Sequence, residues 1–303
     1  MERLLTSTDF PLRRTSPRVH AAAIRVFQFA LAVALCAIGT TAAAETGSAT
    51  TLKAAYSAQR SEIENSKFGR PLQLKSQESA NALQGDILAV LDQPFEKVRS
   101  ALAEPRHWCD ILILHPNVKD CRSLGTEPAM AVKLGRGEVD VRFGYTAVAS
   151  NADYLDVRLD SPTGPFGTTD YRIRLEAAPL DANRTILHLA YSHGYGAQAK
   201  LAMQAYFNTL GRGKVGFTVL DKNAQGKPVY VSDLRGGLER NAMRYYASIE
   251  SYLNALSAPA AQQLEKRLQN YYAYTERYPL QLQEEPGYLD LKRKEATRVQ
   301  SHG

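Results

Sequence analysis

Four stretches in the middle of the chain alternate apolar and polar residues with a period of two. They are residues 139–148, 154–160, 171–177 and 185–195. In the second stretch Leu155, Val157 and Leu159 share one side, and charged residues share the other. Because successive side chains of a strand point to opposite faces of a sheet, each stretch predicts a strand with one buried and one wet face. Short turns separate the stretches, so we expect an antiparallel meander.

A strand and a helix precede this meander, and a long helix follows it. The segment GDILAVLD (85–92) is apolar in the manner of a buried strand, and it leads into a helical pattern in which Phe95, Val98 and Leu102 share a face. Residues 235–256 repeat apolar side chains at the 3.6-residue period of an α-helix. The sequence therefore predicts an α+β fold in which helices lie on one side of a curved sheet.

The order of these elements, the segment VLDQPFEKVRSAL (90–102) and the later HPNV (115–118) resemble the START-like or helix-grip superfamily. That superfamily includes START lipid-transfer domains, birch-pollen-allergen-like proteins and polyketide cyclases. The resemblance extends over residues 84–256 and is to a secreted bacterial member. It implies a curved antiparallel sheet wrapped around the long C-terminal helix, with a cavity between them that holds an apolar ligand.

We expect four segments along the chain. They are a signal peptide at 1–44, an N-terminal helix and edge strand at 45–84, the START-like domain at 85–256, and a C-terminal helical extension at 257–303. The domain carries an insertion at 197–234 that contains one helix and a hairpin. We expect the extension to pack outside the core and to fray after about residue 290.

The first 44 residues carry the parts of an export signal. Arginines dominate the start, the apolar run FALAVALCAIG (29–39) follows, and Ala42-Ala43-Ala44 offers an A-x-A cleavage site. The run is shorter than the roughly 20 residues that a spanning helix needs, which argues against a membrane anchor. We therefore expect cleavage after Ala44 and a periplasmic or secreted protein. Cleavage would lower the net charge from +6 to +3, too little to indicate a nucleic-acid partner.

The segment HWCDILILHPNVKDC (107–121) contains two histidines and two cysteines. The spacing of His107, Cys109, His115 and Cys121 fits none of the usual zinc patterns, so we expect no metal there. An even pair of cysteines in an oxidising compartment favours a Cys109–Cys121 disulfide. Two separate buried thiols are the alternative, because a chain of this size can fold without such a bond.

One face of the last meander stretch carries Tyr191, His193 and Tyr195, and His188 falls on the opposite face, where we expect it to meet solvent. The resemblance implies that this apolar face and the long helix line the ligand cavity. The candidate ligand-binding residues are Trp108, Tyr145, Leu189, Tyr191, His193, Tyr195, Tyr245 and Ile249.

A histidine beside tyrosines could also act as a general acid or base, which makes His193 a catalytic candidate. A buried histidine that bonds to a neighbour is the simpler interpretation. The chain lacks the G-x-S-x-G, S-x-x-K and H-E-x-x-H motifs, and GRGKVG (211–216) does not fit a Walker A loop. We therefore expect no cofactor, and a binding protein rather than an enzyme.

The insertion is basic. Residues 197–231 contain five lysines and arginines, one acid, and interleaved aromatic residues. This combination suits an anionic membrane surface, and the candidate contacts are Lys214, Phe217, Lys222 and Lys227. The alternative is a solvated hairpin whose aromatic residues pack onto the core.

Three functional hypotheses follow from these patterns. The first is a periplasmic carrier or sensor that binds a hydrophobic small molecule between the sheet and the C-terminal helix. We expect that molecule to be a lipid. The second is a cofactor-independent cyclase, dehydratase or hydrolase that uses His193 and a tyrosine. The third is a cell-envelope interaction module. Fold resemblance does not choose among them.

Overall fold

The computed structural model describes residues 47–125 and 127–301. The predicted signal peptide and its cleavage site lie outside these residues. Within them, no helix combines the length and the apolar composition needed to cross a bilayer.

Eight antiparallel strands form one curved sheet. In chain order they are β1 (Leu72–Glu78), β2 (Ala82–Leu91), β3 (Val118–Ser123), β4 (Ala129–Leu134), β5 (Val139–Ser150), β6 (Leu155–Thr163), β7 (Thr168–Pro179) and β8 (Thr185–Tyr195). Their order across the sheet is β1-β2-β8-β7-β6-β5-β4-β3. The predicted meander is confirmed as β5 to β8, and it continues through β4 into β3. Strand β2 pairs with β8, the last strand of the meander, and β1 pairs with β2, so β1 is an edge strand.

Eight helices and a small hairpin accompany the sheet in the described part of the chain. The helices are α1 (Ala49–Glu64), α2 (Phe95–Leu102), α3 (Pro105–Leu112), α4 (Ala197–Asn208), α5 (Asp233–Ala255), α6 (Ala260–Thr275), α7 (Pro279–Leu282) and α8 (Tyr288–Ser301). The hairpin consists of β9 (Val219–Lys222) and β10 (Pro228–Tyr230), and a 3₁₀ turn (Pro165–Gly167) joins β6 to β7. The predicted α+β architecture is confirmed.

The helical pattern after β2 is divided into two helices. The first, α2, ends at Leu102, and α3 begins at Pro105. Proline has no N–H to donate, so it is tolerated in the first turn of a helix and disrupts a helix interior. The break turns the chain back toward β3.

The long helix α5 is buried on nearly all its sides. Its apolar stripe, which includes Leu238 and Ala242, packs against the sheet, and α6 covers the opposite side. Charged residues on that second side form ion pairs. Arg244 is an example, with its Nε 3.0 Å from a carboxylate oxygen of Glu284. The sequence predicts the apolar stripe, because the stripe is a pattern within α5. It does not predict the ion pairs on the other side, because their partners lie in other segments.

The other face of the sheet is partly covered, which corrects the expectation that it is wet throughout. The side chains of Leu52, Tyr56 and Ile63 on α1 pack against sheet residues that include Leu88 and Ile186. A serine side chain just before α1 accepts a hydrogen bond from a main-chain N–H of its first turn, as an N-cap does. The molecule is therefore layered as α1, sheet, α5 and α6.

The C-terminal extension does not fray after residue 290. Helix α8 continues to Ser301. The Tyr288 hydroxyl donates to the carbonyl oxygen of Leu114 at 2.6 Å, and the Lys292 side chain is fully buried. The segment is held because its contacts lie in the loop between α3 and β3, more than 170 residues earlier.

Candidate functional site

Six side chains with polar or aromatic ends meet between the sheet and α5. They come from the α3–β3 loop, β7, β8 and α5, and we call them the polar aromatic cluster: His115, Tyr171, Tyr191, His193, Asn241 and Tyr245. Strand alternation turns the three sheet residues toward α5, and Asn241 and Tyr245 lie one helical turn apart.

The rings of the cluster form a continuous row. The His193 imidazole stacks on Tyr171 with centroids 5.0 Å apart and planes inclined by 14°. The Tyr191 ring lies 5.9 Å from His193 and 5.1 Å from Tyr245. The row ends where Tyr245 meets the His115 ring at 4.7 Å.

Within the described part of the chain, no hydrogen bond of full geometry reaches two buried imidazole nitrogens of the cluster, although the main chain at Gly194 lies close enough to His193 to affect its pKa. They are Nδ1 of His193 and Nε2 of His115. The Asn241 side chain lies close enough to His115 and Tyr191 to affect the pKa of each, but no bond of full geometry reaches His115 Nε2. Buried polar atoms are nearly always paired, so two unpaired nitrogens in one cluster require an explanation.

The cluster carries no formal charge at neutral pH. Burial lowers the pKa of His193 to about 4. Burial, together with the positive charges of Arg244 and Lys292, holds the pKa of His115 well below its usual value. Burial raises the pKa of Tyr171, Tyr191 and Tyr245. Both imidazoles are therefore neutral, and all three phenols keep their protons.

All eight predicted ligand-binding residues are buried. Three of them, Tyr191, His193 and Tyr245, belong to the cluster. Tyr195 borders it, with its ring 6.4 Å from His193 and its hydroxyl donating to the carbonyl oxygen of Ser79 at 2.9 Å.

The other four predicted residues lie in the walls. Trp108 Nε1 donates to the carbonyl oxygen of Leu102 at 3.0 Å, and the Tyr145 hydroxyl donates to that of the next residue at 2.5 Å. Both bonds fix the turn between α2 and α3. Leu189 and Ile249 are fully buried in the apolar core. These four residues support the cluster and add no polar group to it.

Sequence reasoning does not place His115, Tyr171 or Asn241 in the cluster. Tyr171 shares the predicted inward face of its strand, so alternation could have identified it. Asn241 lies one turn before Tyr245, where a polar residue on an apolar stripe is a weak signal. His115 is brought in by a loop, and no local pattern predicts its position.

The helix of the insertion covers one end of the cluster. The α4 residues Ala199 and Met203 are buried, and Lys200 Nζ lies 5.9 Å above the Tyr195 ring. Gly237 of α5 lies beneath Phe207, and a Cβ atom there would overlap the Phe207 ring. A glycine at this position lets α4 lie close to α5.

The candidate membrane contacts in the insertion take different positions. Lys222 and Lys227 are exposed, and Lys214 is half-buried, with Nζ donating to the Tyr206 hydroxyl at 2.7 Å. Phe217 is buried, and its ring contacts Phe68 and another aromatic side chain of the core. Phe217 is therefore a core residue and not a surface contact, which corrects its assignment.

The predicted disulfide is confirmed. Cys109 on α3 and Cys121 on β3 are bonded, with their Cα atoms 5.3 Å apart. The bond closes the loop that carries His115. The other histidine of that segment, His107, lies outside the cluster, with Nδ1 2.8 Å from the carbonyl oxygen of Ala101.

Two surface hollows lie outside the cluster. The first, of about 460 Å³, lies among α2, α3, α5 and α6, and the second, of about 500 Å³, is formed by Asp92 and residues 181–184. In the first, the buried Arg267 side chain lies over the Tyr252 ring with Nη1 2.8 Å from Asp110. That pairing is typical of a structural ion pair that joins α6 to α3.

The outer face of the sheet carries a separate charge network around His188. Its Nδ1 lies 2.8 Å from Glu176 and its Nε2 3.1 Å from Asp86. Burial alone would lower the pKa of His188, but the two carboxylates outweigh it and raise the pKa to about 9. His188 lies on the predicted face, but it is ion-paired where solvation was expected. Among residues 47–125 and 127–301, no group of three His, Cys, Asp or Glu side chains is placed to hold a metal ion.

No protein-family model and no curated protein matches the chain. Among solved structures, a conserved protein from Geobacillus kaustophilus is 14% identical with a TM-score of 0.34, covering 57% of this chain and 95% of its own. A norcoclaurine synthase from Thalictrum flavum is 10% identical with a TM-score of 0.34, covering 44% and 91%. A protein of unknown function from Enterococcus faecalis is 10% identical with a TM-score of 0.30, covering 76% and 92%. The α+β fold of this chain, with its curved eight-stranded sheet and C-terminal helices, is consistent with the helix-grip fold.

Proposed function

We propose that the protein binds a small apolar molecule with one uncharged polar group, and that it does so at the polar aromatic cluster as an exported carrier or sensor. The observation that carries the proposal is the pair of unpartnered imidazole nitrogens on His115 and His193. A buried polar atom left unpaired costs about 1–3 kcal/mol. His115 Nδ1 accepts from the main-chain N–H of Asn117, so Nε2 of the neutral ring carries the proton and would donate to a ligand oxygen, whereas a ligand hydroxyl would donate to His193 Nδ1.

The charge state of the cluster limits the ligand class. Its imidazoles are neutral and its phenols are protonated at neutral pH, as the lowered pKa of His193 and the raised pKa of Tyr191 and Tyr245 indicate. The six residues of the cluster therefore offer a desolvated carboxylate or ammonium no counter-charge of their own, and Arg244 and Lys292 nearby are already paired with Glu284 and Glu295. An alcohol, ester or ketone suits the cluster, and its apolar body would contribute roughly 25 cal/mol per Å² buried.

The same charge state favours binding over catalysis. With a pKa of about 4, His193 is a weak proton acceptor at pH 7. An efficient general base has a pKa near the working pH, and the six residues of the cluster include no carboxylate to raise that of His193. An enzymatic role is therefore the second proposal, and catalytic turnover of a substrate such as a lipid ester would support it.

Export is part of the proposal and rests on two features. The arginine-rich, apolar and A-x-A parts of residues 1–44 fit a cleaved signal peptide. The disulfide between Cys109 and Cys121 fits an oxidising compartment such as the periplasm.

The test measures binding of a fluorescent long-chain alcohol and of the matching fatty acid to the exported protein at pH 7.5. The alcohol should bind more tightly, and His193→Phe, which keeps the ring and removes the acceptor, should weaken it by about tenfold. His107→Phe is the matched control, because His107 lies outside the cluster.

Three outcomes would overturn the proposal. They are no binding of either probe to folded protein, equal binding by the His193→Phe variant, or a preference for the carboxylate. Native mass spectrometry of the same material adds an independent readout, since a co-purifying neutral lipid supports the proposal. Turnover of a lipid ester that His193→Phe abolishes would assign the cluster to an enzyme.

A further inference from the structure

The insertion exposes large apolar side chains that nothing in the described chain covers. Leu201 on α4 is 69% exposed, Leu210 just after α4 is 76% exposed, and Leu220 on the β9–β10 hairpin is 58% exposed. Phe166, in the 3₁₀ turn between β6 and β7, is 57% exposed. Single exposed apolar residues are common on protein surfaces, so their arrangement decides whether they have a role.

Two of these side chains lie around one residue of α4, Tyr206. The Phe166 ring is 6.1 Å from the Tyr206 ring. Leu210 is held close by the bond from the next main-chain N–H to the carbonyl oxygen of Tyr206 at 2.8 Å. Leu201 lies on the same helix but about 140° round its axis from Tyr206, so it projects from a different side. Phe166, Tyr206 and Leu210 therefore form one surface at the C-terminal end of α4.

The backbone at Phe166 is held in an uncommon conformation. Its φ of 60° lies in the left-handed region, which a bulky residue rarely adopts. The neighbouring contacts keep the aromatic ring outside the core at this turn. An exposed phenylalanine on strained backbone indicates a role at the surface.

The segment that carries this surface is basic. Residues 197–231 contain Lys200, Arg212, Lys214, Lys222 and Lys227, and their one acid is Asp221. Lys214 reaches the surface directly, because its Nζ donates to the Tyr206 hydroxyl at 2.7 Å. Arg212 is exposed two residues after Leu210. The surface therefore has an apolar centre and a basic margin.

We propose that this surface, defined by Phe166, Tyr206 and Leu210 with Lys214 and Arg212 at its margin, docks onto an anionic lipid bilayer. Apolar side chains that project singly can enter the headgroup layer, and the basic margin is attracted to lipid phosphates. A protein partner of similar affinity would need a broad complementary face, and the exposed face of α4 offers only one large apolar side chain, Leu201.

Helix α4 also borders the proposed ligand site. Ala199 and Met203 are buried, and Lys200 Nζ lies 5.9 Å above the ring of Tyr195, which borders the polar aromatic cluster. Contact with lipid would thus act on a helix that touches the border of that cluster. This step rests on the proposed function, whereas docking itself does not.

The experiment is flotation of the purified mature chain with vesicles of phosphatidylcholine alone or of phosphatidylcholine with phosphatidylglycerol, at low and high salt. We expect binding to the anionic vesicles that high salt weakens, because screening reduces attraction between exposed charges. The double variant Phe166→Ser/Leu210→Ser should lose at least tenfold in vesicle affinity. The matched control is Leu280→Ser/Leu291→Ser, two leucines of α7 and α8 that are also exposed.

A second pair of variants tests the charge. Arg212→Gln/Lys214→Gln should weaken binding to anionic vesicles severalfold, whereas Lys53→Gln/Lys266→Gln, at exposed lysines elsewhere, should leave it unchanged. Failure to float with anionic vesicles, or equal loss in the control pairs, would overturn the docking proposal. His193→Phe should float like the unmodified protein, so loss of docking and loss of ligand binding are separable results.

Discussion

The ammonium group of Lys292 donates a hydrogen bond to the carbonyl oxygen of His115 at 2.8 Å, across a separation of 177 residues. The same group donates to the carbonyl oxygen of Val118 at 2.6 Å and pairs with Glu295 at 2.7 Å. The C-terminal helix α8 therefore holds the loop that brings His115 into the polar aromatic cluster. The C-terminal extension therefore helps to position the polar aromatic cluster.

Replacing Lys292 should destabilise the protein, because the buried carboxylate of Glu295 would lose its nearest cation. Lys292→Met leaves the buried Glu295 carboxylate with only the longer pairing to Lys119 at 3.6 Å, and should lower the free energy of unfolding by about 3 kcal/mol. The double variant Lys292→Met/Glu295→Leu should recover much of this loss. Urea denaturation followed by fluorescence of Trp108, the one tryptophan of the chain, gives both values. Additive losses would contradict the coupling.

Stability should fall as the pH rises from about 6.5 to 8. The pKa of His188 is about 9 in the folded protein, above the value near 6.5 in an unfolded chain. Its contribution is therefore complete below about 6.5 and is lost as the pH rises toward 9. Between 6.5 and 8 the loss should reach about 2 kcal/mol.

The upper limit of that window is set by Lys292. Burial lowers the pKa of Lys292 to about 8, so above pH 8 the unfolded form binds more protons at this group, which opposes the remaining loss from His188 and levels the profile until about pH 9. His188→Gln should flatten the pH profile between 6.5 and 8, whereas His107→Gln should leave it unchanged. Denaturation at half-unit steps of pH measures the slope, and an equal slope in the His188→Gln variant would refute this role.

Removing the disulfide should lower stability without abolishing the fold. The bond joins residues separated by 12 positions, for which chain entropy predicts about 3 kcal/mol. The Cys109→Ala/Cys121→Ala variant should lose that amount, and ligand affinity should also fall because the loop with His115 becomes less constrained. Denaturation of the unmodified protein with and without reductant is the matched comparison. No change on reduction would show that the loop is already held by α8 alone.

The insertion should loosen when Glu239 is removed. This fully buried carboxylate on α5 accepts from the main-chain N–H groups of Phe217 at 2.6 Å and Thr218 at 2.9 Å, and from the Thr218 and Ser76 hydroxyls. Glu239→Ala leaves these donors unpaired and should cost about 3 kcal/mol.

Hydrogen exchange of the β9–β10 hairpin is the direct readout for Glu239. Exchange there should accelerate in Glu239→Ala and remain unchanged in the exposed control Glu276→Ala. Unchanged protection in Glu239→Ala would mean that the hairpin is held by its aromatic contacts, such as Phe217 on Phe68.

The sequence by itself determined the elements whose evidence is local. The period of two fixed β5 to β8, and with it the inward direction of Tyr191 and His193. The 3.6-residue period fixed α5, and cysteine number with export predicted the Cys109–Cys121 bond. The predictions of strands and of α5 succeed because a single strand or helix must bury one face, and that requirement produces a periodic pattern in its own sequence.

Only the tertiary structure decided which elements meet. The position of His115 depends on Lys292 and Tyr288, which lie in a different segment, and the burial of Phe217 depends on Phe68. Local periodicity contains no information on such partners, because they are set by how the layers pack. For the same reason the sequence placed basic and aromatic residues in the insertion, but only the packing of α4 against the cluster decided which side chains it buries and which it leaves exposed.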